Sequence, residues 1–319
     1  MKLIAAAALA LVSSAALAQS YPARPVRFLV PFAPAGSADV MARLVGNRMS
    51  EGLGQPLLIE NQGGGGGTIA TETLARSLPD GYTVALGSVS TLILAPLLNP
   101  KLRYDPLKSF THISRIATAT QVLFVGSAVP AKDLRQLIEL AKAKPGTLNY
   151  GSNGIGAVPH LAGELFRSLA GIDLVHVPYK GAGPVTAALL AGDVQLGFIV
   201  PTGQEQNLQT GRLRALAVAG PKRLPSLPGV PTAAEAGLPG LETYTWFGLT
   251  AALGTPPPIV TRLNAEVNRA VENKELRDTL TKQGVEAGGS TPQEYVRFVG
   301  TETEKWSNII KSAGVKLEN

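Results

Sequence analysis

The sequence predicts an α/β protein of two lobes, each a mostly parallel sheet flanked by helices. Three observations carry this. Short apolar runs alternate with longer amphipathic ones along the chain. A glycine- or proline-rich loop stands at many of the handovers from the first kind to the second. The plan occurs twice, before residue 100 and again from residue 122. Strand, loop and helix in repetition is the pattern of parallel strands joined by crossover helices.

In order, residues 26–31 form a short apolar strand that runs into a Gly/Pro loop. Ser37 is placed to cap the helix that follows, in which Val40, Met41, Leu44, Val45 and Met49 share a face. Residues 57–60 are the next strand, five glycines follow at 63–67, and a helix is expected over 68–78 with Ile69, Leu74 and Leu78 apolar. Asp80 and Gly81 make a turn into a strand at 83–87, with a further helical stretch at 88–98. The second half opens with a strand at 122–126 and an amphipathic helix at 132–143 that ends at Pro145 and Gly146. A strand at 148–151 leads through the loop 151–156 into a helix carrying Leu161, Leu165, Phe166 and Leu169. Residues 174–178 lead through 179–183 into a helix with Pro184 in its first turn, where proline is tolerated. Strands at 194–198 and 213–218 precede a Pro/Gly-rich connector at 221–240, and the tail is helical at 260–271, 274–283 and 292–313.

Composition bounds the function. Lys2 and the apolar residues 3–17, closed by Ala16, Leu17 and Ala18, read as a secretory signal cleaved after Ala18. That run is shorter than the roughly 20 residues a membrane span needs. The mature chain is expected in an exported compartment, the periplasm. There is no cysteine, so disulfides and lipidation on cysteine are excluded. Lys and Arg exceed Asp and Glu by 29 to 23, but they are scattered, so nucleic acid is not an expected partner. The balance is compatible with an anionic ligand.

The strand-end loops are the candidate sites. Ligands of open parallel sheets bind in the crevice at the carboxyl ends of strands. Helix N-termini there offer unpaired N–H groups and partial positive charge to an anion. Loops of this kind occupy residues 34–37, 63–68, 87–91, 151–156 and 181–183. Phosphate-loop, nucleophile-elbow and zinc-protease signatures are absent, and the glycine run does not satisfy the dinucleotide fingerprint. The three histidines, 112, 160 and 176, are spaced too widely to read as a metal cluster, so neither metal nor cofactor is expected. His176 alternates with apolar residues and reads as structural. His160, one turn into a helix, stands open between packing and a cleft role, and Asp39 between helix-dipole support and ligand contact. Trp246 and Trp306 read as core or surface anchors.

The chain then resembles a family. Residues 21–27, 31–39, Glu60 and Asn61 with the glycines after them, and 80–83 match the extracytoplasmic solute receptors of the tripartite tricarboxylate transporter type, the Bug receptors. So do residues 150–156, 177–181, 211–218, 227–237, 254–256, 263–268, 289–292 and 305–306. The resemblance implies a two-lobed periplasmic binding protein of the Venus-flytrap, type II-like kind. It implies lobe 1 from residues 19–122 plus 223–319 and lobe 2 from 123–222. It also implies capture of a small di- or tricarboxylate or aromatic carboxylate, and delivery to the membrane permease subunits of a tripartite tricarboxylate transporter. The receptor is expected to act as a monomer. By that resemblance Phe32, Ala33, Pro34, Ala35, Gly36, Ser37 and Asp39 line the cleft with Ser152, Asn153, Gly154, Gly156, Tyr179, Gly181 and Gly183. The strand-end loops add Ser88, Ser90 and His160 as candidates.

The chain departs from the family pattern at two places. Ala35 stands where glycine is frequent, and its Cβ limits positive φ and would crowd a ligand. Ile199 stands where an Asp is frequent, which argues against an amino-acid ligand and for a plain carboxylate with an apolar or aromatic body. Two other functions stay open: an exported enzyme acting on small acids, with Ser37, Ser88, Ser90, Ser152, Asp39 and His160 as candidate groups, and a ligand sensor for a signalling partner. The glycines at 63–67 either bring a helix end to the cleft or only turn a strand into a helix.

Overall fold

A computed structural model describes residues 21–313; the expected signal segment lies outside the described residues. The first lobe is built on β1 (Val26–Val30), α1 (Ser37–Leu53), β2 (Leu57–Asn61), α2 (Thr68–Ala75) and β3 (Thr83–Ser88). A wide π-type turn (Val89–Leu94) and the short α3 (Ala95–Leu98) follow. β4 (Phe110–Gly126) leads into the second lobe, made of α4 (Leu134–Ala143), β5 (Asn149–Ser152), α5 (Val158–Ala170), β6 (Val175–Pro178), α6 (Ala182–Ala191), β7 (Leu196–Ile199), α7 (Glu205–Gln209) and β8 (Leu213–Ala219). The chain returns through β9 (Tyr244–Ala252), α8 (Pro257–Glu272), α9 (Lys274–Lys282), β10 (Val285–Ala287) and α10 (Pro292–Ala313).

Each lobe has a parallel core of three strands. β1 pairs with β2 and β3, and β5 with β6 and β7. Antiparallel strands complete each sheet, so both are mixed: β9 joins β3 to β4, β10 pairs with the opposite edge of β4, and β7 and β8 flank the later part of β4 on its two edges. β4 is the shared strand. Its residues up to Thr120 pair with β9, and from Gln121 onward with β7 and β8.

The buried side chains explain why the strands read as continuous apolar runs. Along β1, Val26, Phe28 and Val30 enter one cluster and Leu29 another; along β4, Leu123 and Val125 face one cluster and Val122 and Phe124 the other. Successive strand side chains point to opposite faces, and helices cover both.

Three strand segments went unread in the sequence: residues 110–121 of β4, all of β9, and β10. Ser, Thr and His interrupt the first, and Gly248 interrupts β9. Tyr295 explains that glycine, since a Cβ at 248 would lie 2.1 Å from its hydroxyl oxygen. The helix expected over 68–78 ends earlier, at Ala75, and buries Ala70, Thr71 and Leu74, while Ile69 and Leu78 are exposed. Ser37 does not cap α1: the N-cap is Gly36, with no side-chain cap, and Ser37 is the first helical residue.

Trp246 and Trp306 are anchors. Both indole nitrogens donate to Oε2 of the buried Glu302, at 3.1 and 3.2 Å, and the Tyr244 hydroxyl donates to Oε1 at 2.6 Å. This fastens α10 to β9.

Candidate functional site

One small cavity receives the strand-end loops of both lobes. Phe32, Gly36, Ser37 and Ala38 line it from the start of α1, Ser90 from the π-type turn, and Asn153, Val158, Pro159 and Ala182 from the second lobe. Gln121 of β4, Thr245 and Phe247 of β9, and Val200 complete the wall. None of these side chains is charged. The helices α1, α5 and α6 all begin at the wall, and none carries a side-chain cap. The first-turn N–H groups of a helix have no partner within it, and they carry partial positive charge. In α5 the Val158 amide is taken by the Ser90 hydroxyl and Pro159 has no N–H, so a negative group in the cavity meets the first-turn donors of α1 and α6, with the helix dipoles, in place of a cation.

The lobes touch around the cavity. The Ala33 amide donates to the Lys180 carbonyl across the cleft at 2.9 Å, and the Val158 amide to the Ser90 hydroxyl oxygen at 3.2 Å. A Cβ on Gly183 would lie 2.6 Å from the Pro34 carbonyl oxygen. The space left inside is about 20 Å³, room for one water molecule. A ligand of several carbon atoms enters only as the walls move apart. Larger surface hollows, about 250 Å³ beside Gly126 and Gln195 and about 290 Å³ beside Arg115 and Phe298, contain none of the candidate residues.

Of the residues expected in the cleft, Phe32, Gly36, Ser37, Ser90 and Asn153 line this cavity. The others build its frame. Ala33, Pro34, Gly181 and Gly183 form the seam between the lobes. Ala35 takes φ 65° despite its Cβ, a conformation that costs an L-residue roughly 1–2 kcal/mol. It is exposed and lies outside the lining of this cavity. Asp39 also lies outside the lining and holds this strained turn. Its carboxylate accepts from the Ala35 amide at 3.1 Å and from Arg43 at 3.1 Å. Burial pushes the Asp39 carboxyl up, but the hydrogen bonds from Arg43, Ala35 and Asn61 and the Arg43 charge outweigh it and leave the group below its ordinary value.

Ser88 is a brace. Its hydroxyl and that of Thr91 cap each other's backbone amides, which sets the turn that presents Ser90. The glycine run is part of the seam. Gly66 sits at φ 66°, and a Cβ there would lie 2.8 Å from the Ile155 carbonyl oxygen of the other lobe. No residue of 63–67 lines the cavity.

Behind the second-lobe loops lies a polar stack. The His160 Nδ1 accepts from the Gly156 amide at 3.1 Å. Its ring stacks on His176 with centroids 4.1 Å apart, and His176 stacks on Tyr150 at 4.8 Å. Ser152 Oγ is 2.6 Å from His176 Nε2 and also bonds the Gly154 amide, while Tyr179 joins the Ser152 carbonyl through its own amide. A Ser–His contact invites a nucleophile reading, yet Ser152 is fully buried and outside the lining. Burial, with His160 alongside, also pushes the His176 imidazole down to about 4, far from the value a general base needs near neutral pH.

That shift gives a pH prediction. Between pH 6.5 and 4 the unfolded chain binds a proton at His176 and the folded chain does not, so acid destabilises the fold through this window. Buried His112, also pushed down, acts in the same direction. His176→Gln should give a shallower fall in Tm from pH 7 to pH 4 than the wild type. Parallel curves would show that His176 does not stay neutral in the fold.

Sequence reasoning missed Gln121, Val158, Pro159, Val200, Thr245 and Phe247, while Ala38 and Ala182 lie in loops expected at the cleft without having been singled out. Gln121 left one signal, a lone amide at the point where β4 becomes wholly apolar.

Residues 41–315 match the tripartite tricarboxylate transporter family receptor, TctC. The chain belongs to this family. The receptor is 35% identical over 302 residues to protein BugT of Bordetella pertussis, covering 94% of this chain and 93% of BugT. Among solved structures, it superposes on R. palustris Rpa4515 with adipate at a TM-score of 0.89 and 37% identity, covering 93% of this chain and 99% of that one. It superposes on MatC (Rpa3494) from Rhodopseudomonas palustris with bound malate at 0.86 and 36%, covering 91% and 100%. The two-lobed periplasmic-binding-protein fold expected from the sequence is therefore that of the receptor, and its role is solute binding for a transporter of this type. No helix among the described residues is long and apolar enough to cross a membrane.

Proposed function

We propose that the receptor closes its two lobes on one small carboxylate in the periplasm and passes it to the permease subunits of a tripartite tricarboxylate transporter, without turnover. The observation that carries this is the meeting of uncapped helix N-termini from both lobes, those of α1 and α6, at one cavity with no charged side chain in its wall. Solved relatives with adipate and with malate support the ligand class. Residues 1–18 direct export and are removed. Lobe 1 comprises residues 19–122 and 223–319, lobe 2 residues 123–222, and the receptor acts as a monomer with no cofactor.

A hydrogen bond to a charged group contributes roughly 1.5–3 kcal/mol. A few such bonds, less the cost of ordering ligand and lobes, fit a micromolar Kd, near −8 kcal/mol. Mature receptor screened by thermal shift against di-, tri- and aromatic carboxylates should show a rise in Tm with at least one. Chromatography should return that compound unchanged after incubation. A flat response across the whole panel would overturn the ligand class, and conversion of the bound acid would overturn binding without turnover.

A further inference from the structure

Gln121 is 2% exposed, lines the cavity, and its side-chain oxygen accepts no hydrogen bond from the protein. Asn153 lines the same cavity from the second lobe, and its buried side-chain oxygen is also unpartnered. A buried acceptor without a donor is a net loss to the fold. Two of them at one cavity are unaccounted for by packing. Gln121 is rigidly placed, since its backbone amide donates to the Thr243 carbonyl at 3.3 Å at the point where β4 changes partners. The other polar lining groups, Ser37, Ser90 and Thr245, are hydroxyls that both donate and accept, so they do not discriminate. An amide side chain donates through its NH₂, but its oxygen only accepts, and it is the two oxygens that lack a partner.

We infer that Gln121 and Asn153 read a neutral hydrogen-bond donor on the ligand, so that the receptor selects hydroxycarboxylates over the matching unsubstituted acids. This rests on the carboxylate reading of the same cavity. The donor is a hydroxyl and not an ammonium group, because no lining side chain carries a negative charge to meet a cation. Ile199, at 1% exposure and outside the lining, supplies none either. An acid that is apolar beyond its carboxylate leaves both amide oxygens closed in without a donor. A site built to hydrogen-bond a hydroxyl rejects the analogue that lacks it.

The test is isothermal titration calorimetry of the mature receptor with matched pairs: malate and succinate, lactate and propionate, 4-hydroxybenzoate and benzoate. In each pair that binds, the hydroxyl member should bind roughly ten- to hundredfold tighter. Gln121→Met should shrink that ratio to about threefold or less, with folding checked by circular dichroism. Asn153→Ala, on a loop, should shrink it too and serves if the first variant does not fold. Equal or weaker binding of the hydroxyl member would overturn the inference while leaving the carboxylate reading intact, water then serving the two amides. So would a ratio that survives in both variants. Failure of every carboxylate to bind would overturn the carboxylate reading and this inference with it.

Discussion

Gly183→Ala should leave the receptor folded and lower its ligand affinity tenfold or more. The added Cβ meets no obstacle within its own lobe, but in the closed form it would stand 2.6 Å from the Pro34 carbonyl oxygen of the other. That atom is backbone, which cannot swing aside, so the lobes must part. Forcing a methyl into a packed contact costs typically 1–3 kcal/mol, and 1.4 kcal/mol is a factor of ten in Kd. The ligand stabilises the closed form only by its preference for that form, so a cost on closure appears directly in affinity. Gly183 does not require positive φ, and alanine in the first turn of α6 restricts the unfolded chain, so the unliganded Tm should hold or rise slightly. Gly66 faces the other lobe as closely, but at φ 66° a substitution would mix strain with the clash. Unchanged affinity, together with an unchanged radius of gyration in solution scattering, would mean that this contact is not part of the ligand-bound state.

Glu302→Ala should lower stability strongly, away from the cleft. It leaves the Trp246 and Trp306 indoles without their acceptor and the Tyr244 hydroxyl without its carboxylate. Trp246 and Trp306 are 0% and 3% exposed, so water does not replace it. Each unsatisfied buried donor costs about 1–3 kcal/mol; taking the two indoles alone gives about 2–6 kcal/mol, or a Tm roughly 3–10 °C lower for a chain of this length. Glu302→Gln keeps an acceptor for the indoles and offers its NH₂ to the tyrosine oxygen, so it should cost well under half as much. Equal losses in the two variants would show that charge, and not hydrogen bonding, fastens α10.

The parallel units were legible because each strand is buried on both faces and therefore apolar throughout, with glycine where the chain turns into a helix. The antiparallel strands were not. β9 carries Gly248 because a side chain from α10 occupies the space in front of it, and a contact 47 residues along the chain leaves no local trace. Within the site, the loop residues Gly36, Ser37, Ser90 and Asn153 stood out by their place between strand and helix. Gln121, Thr245 and Phe247 did not, because they sit inside strands, where sequence pattern reports burial but not what lies opposite.

Ala35 and Asp39 show the same division. The sequence marked both as departures or candidates, and the structure joins them in one strained turn, with the carboxylate accepting from the amide. What the sequence by itself determined was the α/β class, the two repeated halves, the uncharged glycine-rich loops at the strand ends and the family. Those depend on local pattern: periodicity, turn chemistry and motif order. Only the tertiary structure decided which loop residues face the cavity and which brace it, that the glycine run closes the seam, and that two amide oxygens wait in the wall. These depend on which atoms from distant segments come within hydrogen-bonding or van der Waals reach, and that distance is set by the packing of the two lobes.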